Sequence, residues 1–158
     1  MNDDLLQTLR NKALALLARR EYSRAELRQK LLRAAGDEGG ELVEQVLADF
    51  TDRNWLSDER FAEQWAAQRS ARYGQNRLRQ ELRMKGVAGA VLENALAEHA
   101  QDETAAARRL WQKKFGTPPA DQKERAKQLR FLLGRGFSSE VAYRVIGGGD
   151  DWDEALID

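Results

Sequence analysis

Between Tyr73 and Val87 the chain reads YGQNRLRQELRMKGV, and its arginines are the residues best suited to chemistry. On a helix, Leu78 and Leu82 share one side, whereas Arg79 and Arg83 share another about 100° away. Asn76 and Gln80 extend that polar face, with Arg77 further round. Guanidinium groups so arrayed suit phosphates, or the carboxylates of a protein partner, because each offers paired N–H donors. Arg69 and Arg72 before the segment, and Lys85 near its end, enlarge the patch.

Material for bond-breaking chemistry is far poorer. His99 is the single histidine and cysteine is absent, so disulfides, thiolate chemistry, cysteine-bound zinc and a histidine pair on a metal are all excluded. Neither G-x-x-x-x-G-K-[ST] nor G-x-G-x-x-G occurs, which removes the usual nucleotide-binding loops. Glu41, Glu44, Asp49 and Asp52 fit the wet side of a helix better than a catalytic carboxylate pair. The expectation is a binding protein without catalytic residues, metal or cofactor.

The elements that must carry the arginines repeat about every 50 residues. Gly36, Gly86 and Gly136 are in step, as are Leu32, Leu82 and Leu132. LRQKL (27–31) and LRQEL (78–82) are offset by one residue more, so the first copy carries a one-residue slip. Such a period marks small units stacked on their neighbours. Each unit is expected to hold three helices. In the first, Leu6, Leu9, Ala13, Leu16 and Leu17 have helical spacing, and Ser23 with Glu26 forms a capping box that starts a second helix running toward Gly36. A third follows from about Glu41, with Leu42, Val43, Val46, Leu47 and Phe50 inward. Ser57 is expected to cap a fourth helix, whose apolar stripe is Phe61, Ala62, Trp65 and Ala66. Leu78 and Leu82 mark a fifth, ended by Gly86, and Val91, Leu92, Ala95 and Leu96 a sixth. Ala106, Leu110 and Trp111 precede a break at Gly116–Pro119. A helix with Leu129, Leu132 and Leu133 follows, and Ser138 caps a last one holding Val141, Val145 and Ile146. Gly147-Gly148-Gly149 should end regular structure.

The expected fold is therefore all-α. It has a three-helix module over 1–56, a second over 57–100, a third over 101–149 and an acidic tail over 150–158. Leu and Ala supply 44 residues against 12 for Val, Ile and Thr, which favours helix over sheet. The polar, acidic start Met1-Asn2-Asp3-Asp4 predicts no signal peptide, and no apolar run is long enough to span a bilayer. A soluble, cytoplasmic monomer is the expectation.

Net charge is zero, but charge is segregated. Arg10 to Arg33 holds eight basic and two acidic residues; Asp37 to Glu63 holds nine acidic and two basic. Six basic residues between Arg69 and Lys85 face only Glu81, and nine between Arg108 and Arg135 face Asp121 and Glu124. Pairing within the chain is the plain account of such alternation, and a basic surface for a partner is the other. Three-helix units also invite a helix-turn-helix reading, in which the later helix enters the major groove. Here the third helices are acidic and would repel phosphate, so base reading by them is disfavoured.

The segments SRAELRQKL (23–31), SDERFAEQW (57–65), YGQNRLRQELRMKGV (73–87) and LRFLLGRGFSSEVAYRVI (129–146) resemble the RecX family of regulators of the bacterial RecA recombinase. Order, spacing and repeat agree over nearly the whole chain. The resemblance implies three tandem three-helix modules in an elongated, curved array. It implies a non-enzymatic inhibitor in DNA repair, recombination and the SOS response, bound along the RecA–single-stranded DNA filament and lowering its ATPase, strand-exchange and co-protease activity. Weak direct binding to DNA itself is a further expectation. With the basic faces above, the main contact is Arg69, Arg72, Arg77, Arg79, Arg83 and Lys85, and the lesser one Arg24, Arg28, Arg130 and Arg135. Gly134 beside Arg135 departs from the family's further basic residue, which implies a weaker third contact. The alternative is a DNA-backbone binder that affects RecA only by competing for DNA.

Overall fold

The computed structural model describes residues 2–147. Among them are nine α-helices, one 3-10 turn (Ala100–Asp102) and no strand. In chain order they are α1 (Asn2–Arg19), α2 (Arg24–Ala35), α3 (Gly40–Asp52), α4 (Asp58–Arg69), α5 (Gln75–Met84), α6 (Gly89–Ala97), α7 (Glu103–Lys114), α8 (Gln122–Gly134) and α9 (Ser139–Ile146). The all-α expectation and its three successive three-helix sets are what the chain forms. The acidic tail, with Gly148 and Gly149, lies outside the described residues.

The caps form where the side chains predict them. The Ser23 hydroxyl accepts the Glu26 N–H and the Glu26 carboxylate accepts the Ser23 N–H, so two free donors at the start of α2 are satisfied at once. Ser57 accepts the Arg60 N–H at 3.2 Å, and Ser138 accepts that of Val141 at 3.2 Å. α8 begins under Asp121, which accepts the Glu124 N–H at 2.8 Å.

By compactness the described chain divides into two units. One runs up to Gln64 and adds Leu82–Glu93; the other comprises Trp65–Glu81 and the chain from Asn94. In the first, Leu9 and Ala13 of α1, Leu27 and Leu31 of α2 and four residues of α3 (Val43, Val46, Leu47, Phe50) close a core with Tyr22 and Leu56. Leu6, Leu16, Leu17 and Leu42 flank it. Leu31, fully buried, takes the place that the 50-residue step assigned to Leu32, which is 38% exposed. The slip in the first copy is thus a real shift of the buried face. In the second unit Ala106, Ala107 and Trp111 pack with Leu132, Phe137, Val141, Ala142, Val145 and Ile146. Leu133 points outward.

The period itself has a cause in close backbone approach. In the first unit the Ser23 hydroxyl donates to the Lys85 carbonyl at 2.7 Å, and a Cβ on Gly86 would fall on the Ala25 side chain. The second unit repeats this one period later. The Gly74 N–H donates to the Arg135 carbonyl at 2.9 Å, the Asn76 N–H to the Gly136 carbonyl at 3.1 Å, and a Cβ on Gly136 would collide with Arg77. In both, the start of one set's second helix seats on the turn that ends the next set's second helix. Both turns have positive φ, 83° at Gly86 and 91° at Gly136. Gly36 shares the φ sign at 76°, but a Cβ added there would meet no neighbouring group within 4 Å.

Gly36→Ala should therefore cost only backbone strain, about 1–3 kcal/mol. Gly136→Ala should cost distinctly more, since strain and collision add. Denaturant unfolding of the two variants gives the comparison, and equal losses would remove the seating argument.

Candidate arginine-rich binding surface

In the first unit, α2 turns Arg24 and Arg28 toward α3. Arg28 grips Glu44 through Nε at 2.6 Å and Nη2 at 3.0 Å, and Arg24 Nη2 stands 3.9 Å from the same carboxylate. The Arg24 N–H donates to Asp58 at 2.7 Å. Pairing of α2 arginines with an acidic third helix, one of the two accounts of the charge pattern, thus holds at both positions. The hydrogen bond from Arg28 is the chief reason the Glu44 carboxyl lies below its ordinary range and the Arg28 guanidinium above its own. Lys85 Nζ reaches Glu26 at 3.2 Å. Partial burial raises the Glu26 carboxyl, but the Ser23 N–H, Arg20 and Lys85 overcome that and hold it low. Arg83 is exposed, and its side chain makes no ion pair or hydrogen bond among the described residues. Lys30, Arg33, Met84 and Lys85 rim a recess of about 260 Å³ beside Glu26.

In the second unit one carboxylate organises most of the predicted contact. Glu81 accepts Arg69 Nε at 2.8 Å and Arg69 Nη2 at 2.6 Å, the Trp65 indole N–H at 3.0 Å and Arg77 Nε at 3.3 Å. Partial burial pushes its carboxyl up, but the hydrogen bonds from Arg69, Trp65 and Arg77 outweigh burial and leave it below the usual range. The same fork raises the Arg69 guanidinium. Tyr73 is the second node. Guanidinium carbons stand 4.2 Å (Arg77), 4.6 Å (Arg69) and 5.4 Å (Arg135) from its ring centroid, within cation–π reach. Arg135 also lies 5.5 Å from the Phe131 ring.

Arg72 and Arg130 are exposed and make no side-chain pair among the described residues, whereas Arg79 is half-buried and engaged. The structure therefore gathers Arg69, Arg72, Arg77 and Arg135 around Trp65, Tyr73 and Glu81. It leaves Arg24, Arg28, Lys85 and Arg83 in the other unit. Sequence reasoning missed Tyr73 and Glu81 and placed Trp65 in the apolar stripe. The available signal was Glu81 itself, the lone acid of its block, four residues after Arg77. Among the described residues no three His, Cys, Asp or Glu side chains converge as a metal site requires. Nor is any helix there long and apolar enough to cross a membrane. What the surface offers is oriented guanidinium and aromatic groups for an anionic partner.

Comparison with known proteins places the chain among relatives. The first, second and third three-helix domains of RecX match residues 10–38, 57–96 and 101–146. The "Regulatory protein RecX" of Ralstonia pickettii (strain 12J) is 44% identical over 91% of this chain and 89% of its own length. That of Chromobacterium violaceum is 42% identical over 93% and 94%. The crystal structure of RecX from Lactobacillus salivarius superposes with a TM-score of 0.79 at 19% identity, covering 91% of this chain and 96% of that one, a likeness of fold.

The depressed carboxyls fix the sign of an acid response. Glu26 and Glu81 bind protons less readily folded than unfolded, so the unfolded chain carries more protons and stability rises with pH across that window. Their contribution is complete above the ordinary carboxyl value of 4.5 and fades as pH falls through the lowered one. Urea midpoints of Glu81→Gln, measured from about pH 3 to 6, should fall less steeply on the acid side than those of the parent. Identical slopes would assign the acid response to other groups.

Proposed function

This chain belongs to the RecX family of regulatory proteins, and we propose that it acts on the RecA recombinase as a non-enzymatic inhibitor bound to the RecA–single-stranded DNA filament. The observation that carries this is identity above 40% along nine-tenths of the chain to proteins named for regulation. The charge surface supports it. Arg72, Arg83 and Arg130 are exposed with no internal partner among the described residues, and Arg69, Arg77 and Arg135 are held in fixed orientation around Tyr73. Guanidinium groups fixed beforehand lose less rotamer freedom on binding, so they suit a partner built of phosphates and mixed-charge protein. In this reading the cytoplasmic monomer lowers filament ATP hydrolysis, strand exchange and co-protease activity, and so regulates DNA repair, recombination and the SOS response. Arg69, Arg72, Arg77, Arg79, Arg83 and Lys85 make the main contact, and Arg24, Arg28, Arg130 and Arg135 the lesser one.

The test is DNA-dependent ATP hydrolysis by RecA on single-stranded DNA, titrated with this protein at fixed salt. Inhibition is expected well below the concentration that coats naked DNA. Inhibition only at DNA-saturating levels, with a steep salt dependence, would replace filament binding with competition for DNA. Reversing Arg79 and Arg83 together to Glu should raise the half-inhibitory concentration more than about tenfold, a loss of ~1.4 kcal/mol, with helicity unchanged by circular dichroism. Full inhibition by the folded variant would move the contact elsewhere.

A further inference from the structure

Trp65, Gln68, Arg69 and Arg72 stand at i, i+3, i+4 and i+7, spacing that brings them to one side of the last turns of α4 and the turn beyond it. Together they line a recess of about 240 Å³. Two of its side chains are fixed by chemistry already described. The indole is anchored by its N–H on Glu81 at 3.0 Å, and Arg69 is forked onto the same carboxylate and stands 5.1 Å from the indole centroid. Of the two arginines lining the recess, Arg72 is the one whose guanidinium makes no side-chain pair among the described residues. The nearby carboxylate is thus spent, and the recess presents an aromatic surface, a primary amide and a free cation.

We propose that this recess is a subsite for single-stranded nucleic acid, in which a base stacks on Trp65 and its adjoining phosphate is held by Arg72. The proposal rests on the reading that the partner is a nucleoprotein filament, and names which component this site meets. A nucleotide uses every group present: base on indole, base edge against the Gln68 amide, phosphate on guanidinium. An acidic protein loop would use Arg72 and leave the indole and amide idle. Stacking tolerates any base, as a protein acting on filaments of arbitrary sequence requires.

The experiment compares two probes on the full chain by fluorescence anisotropy at low salt. One is a labelled oligothymidylate, the other an abasic deoxyribose-phosphate strand of equal length. Trp65→Leu, which keeps apolar bulk, should weaken oligothymidylate binding about 5- to 150-fold and leave the abasic strand unchanged. Trp65→Phe should restore most of the loss. Arg72→Ala should weaken both strands and reduce the salt slope by about 0.7, the share of one single-strand phosphate. A fold defect would weaken both probes alike, so equal losses with Trp65→Leu overturn the proposal, as does no loss with either strand. If Trp65→Leu spares both strands but weakens binding to the RecA filament, the recess meets protein; the subsite falls and the RecA reading stands. Base-dependent binding through Trp65 without any inhibition of RecA would uphold the subsite and reject the RecA reading.

Discussion

The close seating of one second helix on the turn of the next is the constraint from which the rest of the structure follows. A three-helix set of about 50 residues has too little interior to be stable alone, so it must be locked to a neighbour. Side chains packed at ordinary distance would do this loosely. Here the lock is made on backbone carbonyls: the Ser23 hydroxyl donates to that of Lys85, and the Gly74 and Asn76 N–H groups donate to those of Arg135 and Gly136. Backbones can approach so closely only where no Cβ intervenes, and Gly86, Gly74 and Gly136 meet that need. The 50-residue period is therefore the spacing of the locks as much as of the helices.

Charge is arranged around those locks in two ways. Where an arginine lies near a carboxylate of its own unit it is taken up, as Arg28 is by Glu44 and Arg69 by Glu81. Partly exposed pairs of this kind add little stability, since water screens them and two long side chains must be held still. Their larger effect is orientation. Glu81 fixes two guanidiniums and an indole at once, and Tyr73 sits under three guanidiniums, one of them from the α8 end of the second lock. Packing and the arginine–aromatic cluster are thus built from the same turns. Arginines with no such neighbour, Arg72, Arg83 and Arg130, stay free for other anions.

Local features were legible in the chain because they depend on neighbours in sequence. The Ser23–Glu26 box, the Ser57 and Ser138 caps and the buried stripes of α3 and α9 all rest on spacings of three or four residues. The repeat was legible too, but which of Leu31 and Leu32 its one-residue slip would bury became plain only in the fold, where Leu31 is buried and Leu32 is 38% exposed. Groups joined over distance were not. Nothing in periodicity tells that Tyr73 meets Arg135, 62 residues on, or that Ser23 meets Lys85. By spacing alone Trp65 falls in the apolar stripe with Phe61, Ala62 and Ala66. Its polar edge found Glu81 instead, 16 residues away and on another helix.

The third set shows how the repeat absorbs a polar core. One period apart, Phe61 and Leu78 correspond to Trp111 and Gln128, and all four are buried. Exchanging Phe for Trp introduces an N–H that burial would leave unsatisfied at a cost of about 1–3 kcal/mol. Exchanging Leu for Gln introduces both an acceptor and donors. The two changes answer one another, because the Trp111 indole N–H donates to Gln128 Oε1 at 2.8 Å. The Gln128 amide N–H then donates to the Thr117 carbonyl at 3.1 Å, tying the loop before α8 to the core. Arg125, one turn earlier and only 2% exposed, extends the polar stripe with its guanidinium 5.3 Å from the Tyr143 ring. A helix whose buried face holds Arg125 and Gln128 reads as surface by hydropathy alone. It is interior because Trp111 and Tyr143 supply partners that a pattern of apolar spacing does not register.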